Sequence, residues 1–163
     1  MLLSKLENQQ IPINKTSFSL DEQIRQSIVD LESEWDKTNI EFDVDMISIN
    51  YFGNEALLRH VWYNILSNAI KFSPNRGTIT ISLKKEKNKL IASFSDEGPG
   101  LSEDSKKHIF DKFYQGDTSH KEEGNGLGLS LVKKIVSLED GEIIAENITG
   151  SGCKFTVILN TKK

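Results

Sequence analysis

The chain of 163 residues carries 20 Lys and Arg against 24 Asp and Glu, a formal net charge of −4, with 37% hydrophobic and 27% charged residues. That length suits one domain with a sizeable core, and mild acidity without a basic run excludes a nucleic-acid surface of the usual kind. A single cysteine, Cys153, excludes an internal disulfide and fits a reducing, cytoplasmic compartment; no apolar run reaches the roughly 18 residues of a membrane span and no signal peptide is read, so any anchor is expected outside these residues.

Residues 1–17 are expected to hold a helix end, with Leu2, Leu3 and Leu6 at helical spacing, and then a linker through IPINKTS. The domain proper is expected over 18–163. Ser19 and Glu22 form an S-x-x-E capping box, and Leu20, Ile24, Ile28, Leu31 and Trp35 make one apolar stripe, predicting a helix across 20–35. IEFDVDM (40–46) alternates as a half-buried strand, and ISIN (47–50) extends or follows it. Asn54 is placed to cap a second helix that runs to Phe72, where Ser73-Pro74 ends it. TITISL (78–83) and LIASFS (90–95) predict a hairpin across KKEKNK, and a short helix should follow Ser102. Leu127–Leu138 predicts a third helix, with GEIIAEN (141–147) and CKFTVIL (153–159) as a closing strand pair joined at GSG. The expected fold class is α+β: a two-layer sandwich, one mixed sheet with helices on one face.

Three stretches carry candidate chemistry. On the second helix Leu58, Val61, Trp62, Ile65, Leu66 and Ala69 share one side, while Asn64, Asn68 and Lys71 form a polar stripe opposite. A merely solvated face would more naturally carry Glu, Lys or Gln than two mid-helix asparagines. DEGPG (96–100) follows a strand directly; it serves either as a turn or as a place where a flat ligand lies against bare backbone while Asp96 accepts a hydrogen bond. GNGLGL (124–129) puts Gly124, Gly126 and Gly128 where a helix start presents free N–H groups, a setting suited to phosphate. It fits neither G-x-x-x-x-G-K-[ST] nor G-x-G-x-x-G.

In this order the pieces resemble the ATP-binding catalytic domain of sensor histidine kinases. NILSNAIKFSP (64–74) resembles the family's N box, DEGPG its first glycine box, HIFDKFY (108–114) its F box, GNGLGL its second glycine box, and GSGCKF (150–155) its last glycine turn. The resemblance spans roughly 18–160, and LLSKLENQQ (2–10) resembles the end of the dimerisation and phosphotransfer helices that precede this domain.

The resemblance implies the Bergerat sandwich shared with gyrase and MutL, ATP and Mg²⁺ as ligands, and a mobile lid over 101–123. Asp96 would accept from the adenine amino group, with Gly98 and Gly100 giving the base room. Asn68 would ligate Mg²⁺, Asn64 would support the metal or its waters, and Lys71 would meet the phosphates. Gly124, Gly126, Leu127 and Gly128 would line the phosphates, and Phe110 and Phe113 would anchor the lid. Asn64 and Lys71 are the catalytic candidates. In hydrolysing relatives a glutamate stands where Asn64 is, so water activation is poor here and transfer to a partner side chain is favoured. Gln115 departs from the family's arginine after the F-box aromatics, leaving Lys112 or Lys121 as candidate replacements. His60, His108 and His120 all lack the acceptor context, so the phosphorylated histidine should sit on a separate dimerisation domain of the same kinase, with a response regulator as the further partner. The expected location is the cytoplasmic part of a membrane-bound sensor. The alternatives are a non-catalytic nucleotide-binding module and an anti-sigma-type serine kinase or ATPase of the same fold.

Overall fold

The structure, a computed structural model, describes residues 2–8, 14–112, 128–148 and 152–161. In chain order its elements are α1 (Leu2–Glu7), β1 (Thr16–Ser19), α2 (Leu20–Asp30), α3 (Glu32–Trp35), β2 (Glu41–Met46), β3 (Asn50–Gly53), α4 (Glu55–Phe72), β4 (Thr78–Glu86), β5 (Lys89–Asp96), α5 (Glu103–His108), α6 (Gly128–Leu138), β6 (Glu142–Asn147) and β7 (Cys153–Asn160). Among the described residues, five strands form one sheet in the order β2-β4-β5-β7-β6. β2 runs parallel to β4, and the other neighbours pair antiparallel. This is the mixed sheet expected.

Alternation decides which face is covered. In β5 Leu90, Ala92, Phe94 and Asp96 are buried, and in β7 Cys153, Phe155, Val157 and Leu159. Against that face lies α4, whose predicted apolar side (Leu58, Val61, Trp62, Ile65, Leu66, Ala69) is buried throughout. Trp62 stacks at a tilt on Phe94, centroids 5.7 Å apart. Its indole N–H donates to Gln23 Oε1 at 2.7 Å, and Gln23 Nε2 donates to the Glu55 carbonyl at 2.8 Å. A buried polar side chain on α2 thus satisfies both the core tryptophan and the start of α4. Asn54 caps α4 as its sequence suggests, accepting from Leu57 N at 2.8 Å. At the other end Ser73 leaves the helical region (ψ 143°) because Pro74 follows.

The predicted helix over 20–35 is instead two. Leu31 departs from helical geometry, and Trp35 turns its indole N–H onto the Ile28 carbonyl at 2.8 Å, satisfying the last turn of α2. The apolar stripe is continuous, but the chain bends at Leu31, which is buried while Trp35 is only half-buried. Residues 16–19, partly read as linker, form β1, which pairs with β3 in a small separate sheet. The capping interaction at Ser19 is present: its Oγ accepts from Glu22 N at 3.3 Å. Near the N-terminus Leu3 and Leu6 are buried where α1 packs on α6.

Glu139, 1% exposed just past α6, ties the two helices that flank the candidate site. It accepts from Tyr51 Oη at 3.1 Å and from Asn54 N, the cap position of α4, at 2.9 Å. Burial, and then the Glu139 charge, push the Tyr51 hydroxyl well above its ordinary range, so it stays a donor. Replacing Glu139 by Ala removes an acceptor shared by two buried donors, and urea unfolding should show a loss of about 2–4 kcal/mol; Tyr51→Phe should lose about 1 kcal/mol.

Candidate functional site

The site is built on α4. Its polar stripe stands away from the core, with Asn64, Asn68 and Lys71 all half-buried. Asn64 donates its Nδ2 to the His60 carbonyl one turn earlier, at 2.7 Å. That leaves Oδ1 facing the start of α6, where a Cβ on Gly128 would lie 3.2 Å from it. Lys71 lies one turn beyond Asn68, its Nζ 5.6 Å from the Phe72 ring centroid.

The DEGPG loop abuts the C-terminal end of the same helix. A Cβ on Gly98 would sit 2.5 Å from the Phe72 carbonyl oxygen, a contact only hydrogen allows. Next to it, Ser73 Oγ is buried, with no hydrogen-bond partner among the described residues. Asp96 ends β5 at 4% exposure and accepts from Gly98 N at 2.8 Å. Burial raises its carboxyl above the ordinary range, partly offset by the N–H groups of Gly98 and Cys153. Gly152, at φ +115°, packs so closely on the Asp96 carbonyl that a side chain there would strike it. The Cys153 thiol is pushed up to about 12 by burial and by the Asp96 charge, so it stays protonated and packs as an apolar group.

At the loop's far end Gly100 has φ +85°, and Leu101 is clamped by Asn147: Leu101 N donates to Oδ1 at 2.6 Å and Nδ2 donates to the Leu101 carbonyl at 2.8 Å. The expected lid segment then begins with the Ser102-capped helix α5. Phe110 packs edge-on against Phe155, centroids 6.3 Å apart, with Lys133 Nζ over its ring. Lys112 pairs with Glu7 at 3.1 Å, joining this segment to α1. His60 is exposed and held below its ordinary pKa by partial desolvation and Arg59; His108 is paired with Asp111.

The structure therefore puts Asn64, Asn68 and Lys71 on one helix, with Gly128 against Asn64 and Gly98, beside Asp96, against the helix's C-terminal end; Gly100 lies at the far end of that loop against Asn147, and Phe110 packs on the adjoining core. Phe113, Gly124, Gly126 and Leu127 lie outside the described residues, as do Gln115, His120 and Lys121. Asn147 and Glu139 were not singled out in the sequence, because their partners lie 46 residues away for the first and 88 and 85 for the second.

Residues 53–163 match the family described as histidine kinase-, DNA gyrase B- and HSP90-like ATPases. The chain is 33% identical over 143 residues to the heme sensor protein HssS of Staphylococcus aureus, covering 88% of this chain and 31% of HssS. It thus spans about a third of the length of that curated relative. Among solved structures, the catalytic domain of the histidine kinase ThkA superposes with a TM-score of 0.81 at 29% identity, covering 91% of this chain and 96% of that one. The complex of ThkA with the response regulator protein TrrA gives a TM-score of 0.80 at 25% identity, covering 99% and 46%. The chain belongs to this ATPase family and is homologous to the catalytic domains of sensor histidine kinases.

A raised folded-state carboxyl pKa means that the folded domain keeps the Asp96 proton more readily than the unfolded chain does. Its contribution is fully present below the unfolded value and is lost as pH rises through the folded one. Asp96→Asn should therefore raise Tm at neutral pH, and this gain should vanish as pH falls below the ordinary carboxylate range. Paired thermal melts of the two proteins at pH 7 and pH 3.5 check the sign.

Proposed function

We propose that the chain binds ATP with Mg²⁺ and transfers the γ-phosphoryl group to a histidine on a separate dimerisation domain of the same kinase. The observation that carries this reading is Asp96: a buried carboxylate at a strand end, beside a glycine whose place on the Phe72 carbonyl leaves no room for a side chain. An ionised carboxylate only accepts, so it suits the adenine amino group and repels the guanine carbonyl. Ser73 Oγ, buried at the same end of α4 with no partner among the described residues, offers a further polar group for a ligand.

The donor set suits a small hard cation that takes most of its oxygens from phosphates and water. Asn68 is the proposed protein ligand, with Asn64 Oδ1 supporting it from the side of α6 and Lys71 meeting phosphate as a point charge. Bound there, the metal would neutralise phosphate charge. Gly128, with Gly124, Gly126 and Leu127 before it, is proposed to offer backbone N–H groups to the phosphates. In the transfer, the bond from the γ-phosphorus to the bridging oxygen breaks, a bond to an imidazole nitrogen forms, and ADP leaves. Phosphoryl transfer of this kind depends on positioning and charge neutralisation more than on a strong base. Asn64 cannot take a proton from water at neutral pH, which favours transfer over hydrolysis. The described histidines, His60 and His108, lack the acceptor context, which leaves the acceptor to the separate dimerisation domain. The response regulator is the proposed next partner, supported by the complex of the relative ThkA with TrrA. Among the described residues no helix is long and apolar enough to cross a membrane; a cytoplasmic position beneath a membrane-bound sensor is part of the proposal.

Calorimetry should find ADP bound and GDP not, with Asp96→Asn costing about 1–3 kcal/mol of ADP affinity. Equal affinity for ADP and GDP would sink the nucleotide assignment. Mixed with its dimerisation domain and γ-labelled ATP, the chain should give acid-labile phosphohistidine. Asn68→Ala should abolish that transfer and remove most of the Mg²⁺ dependence of ATP binding. Acid-stable label on a serine would favour a serine kinase instead, and no transfer under any condition a non-catalytic module.

A further inference from the structure

The Asp96–Gly100 loop is held at its start, where Gly98 N donates to Asp96 Oδ1 at 2.8 Å and Gly98 packs on the Phe72 carbonyl. Glu97 is fixed on one side, its Oε1 accepting from Thr78 N at 2.8 Å. Beyond Gly98 come Pro99 and Gly100, and Gly100, at φ +85°, has no side chain to fix the path of the main chain before Leu101. The anchor at the other end is Asn147, which meets both main-chain groups of Leu101.

Asn147 is itself placed by the sheet. It is opposite Cys153 in the β6–β7 pair, and Cys153 is opposite Asp96 in the β5–β7 pair. Asn147, Cys153 and Asp96 therefore form one row across three strands, with their side chains on the same face. The carboxylate and the clamp share one rigid frame, and the loop between them is strung across it. A Cβ on Gly100 would come within 3.0 Å of Asn147 Oδ1, so the clamp also closes on the positive-φ residue of the loop.

We propose that Asn147 is a positioning residue of the nucleotide site, holding the Asp96–Gly100 loop at the distance from Asp96 that adenine recognition requires. This rests on the reading of Asp96 as the adenine acceptor. Both of the clamp's hydrogen bonds are solvent-exposed, so it contributes to local order more than to global stability. Asparagine suits this role because one carboxamide offers an acceptor and a donor in the spacing of a peptide group.

The test uses the whole chain with ADP and GDP as probes, on wild type, Asn147→Ala, Asn147→Asp and Asp96→Asn. Asn147→Ala should bind ADP about five- to tenfold more weakly, the order of two exposed hydrogen bonds, while Tm stays within a few degrees. Its preference for ADP over GDP should narrow by the same factor. Its Leu101 amide should exchange hydrogen faster than wild type. Asn147→Asp keeps the acceptor for Leu101 N–H and loses the donor, so its ADP affinity and Leu101 protection should both fall between the two. The inference is overturned if Asn147→Ala binds ADP as wild type does while Asp96→Asn binds weakly. It is also overturned if affinity falls only as far as a lowered Tm explains. Wild-type ADP affinity in Asp96→Asn would instead remove the adenine reading, and this inference with it.

Discussion

A carboxylate at 4% exposure is costly to keep ionised, and much of the surrounding structure is arranged around that one group. Asp96 sits at the end of a core strand, where the backbone N–H groups of Gly98 and Cys153 offset part of the desolvation. The loop that follows has to turn at once without covering it. Gly98 makes the turn against the Phe72 carbonyl, and Gly152 passes over the Asp96 carbonyl at a distance and φ closed to other residues. Each of these two glycines is required by a main-chain contact beside the buried carboxylate. In the function proposed for this chain, that placement gives a pre-formed acceptor for adenine.

The helix α4 does two jobs on opposite sides. Its apolar side fills the centre of the sandwich, with Trp62 satisfied by Gln23 and stacked on Phe94. On the polar side Asn64 faces the start of α6, and the helix's C-terminal end meets the loop after β5. Because the apolar side is immobilised by close packing, the asparagines and the lysine inherit a fixed direction. Glu139 extends the same logic: one buried carboxylate beyond the end of α6 accepts from the cap residue of α4 and from Tyr51, so the two helices flanking the site cannot drift apart without stranding buried donors.

The amino-acid sequence by itself determined the elements whose causes are local. Asn54 and Ser102 cap their helices, Pro74 ends α4, and strict alternation sets β5 and β7 with the buried face where the pattern puts it. The stripe of Asn64, Asn68 and Lys71 was legible because helical spacing alone puts residues four and three apart on one side. Tertiary structure decided the rest. The apolar stripe over 20–35 is uniform in sequence, yet the chain leaves helical geometry at Leu31, where the Trp35 indole N–H meets the Ile28 carbonyl. β1 and β3 are too short to be read from alternation and exist only because they pair with each other. Asn147 and Glu139 look like ordinary polar residues at element ends; their roles come from partners 46 residues distant for Asn147 and 88 and 85 for Glu139, and no local pattern encodes a contact across such a separation.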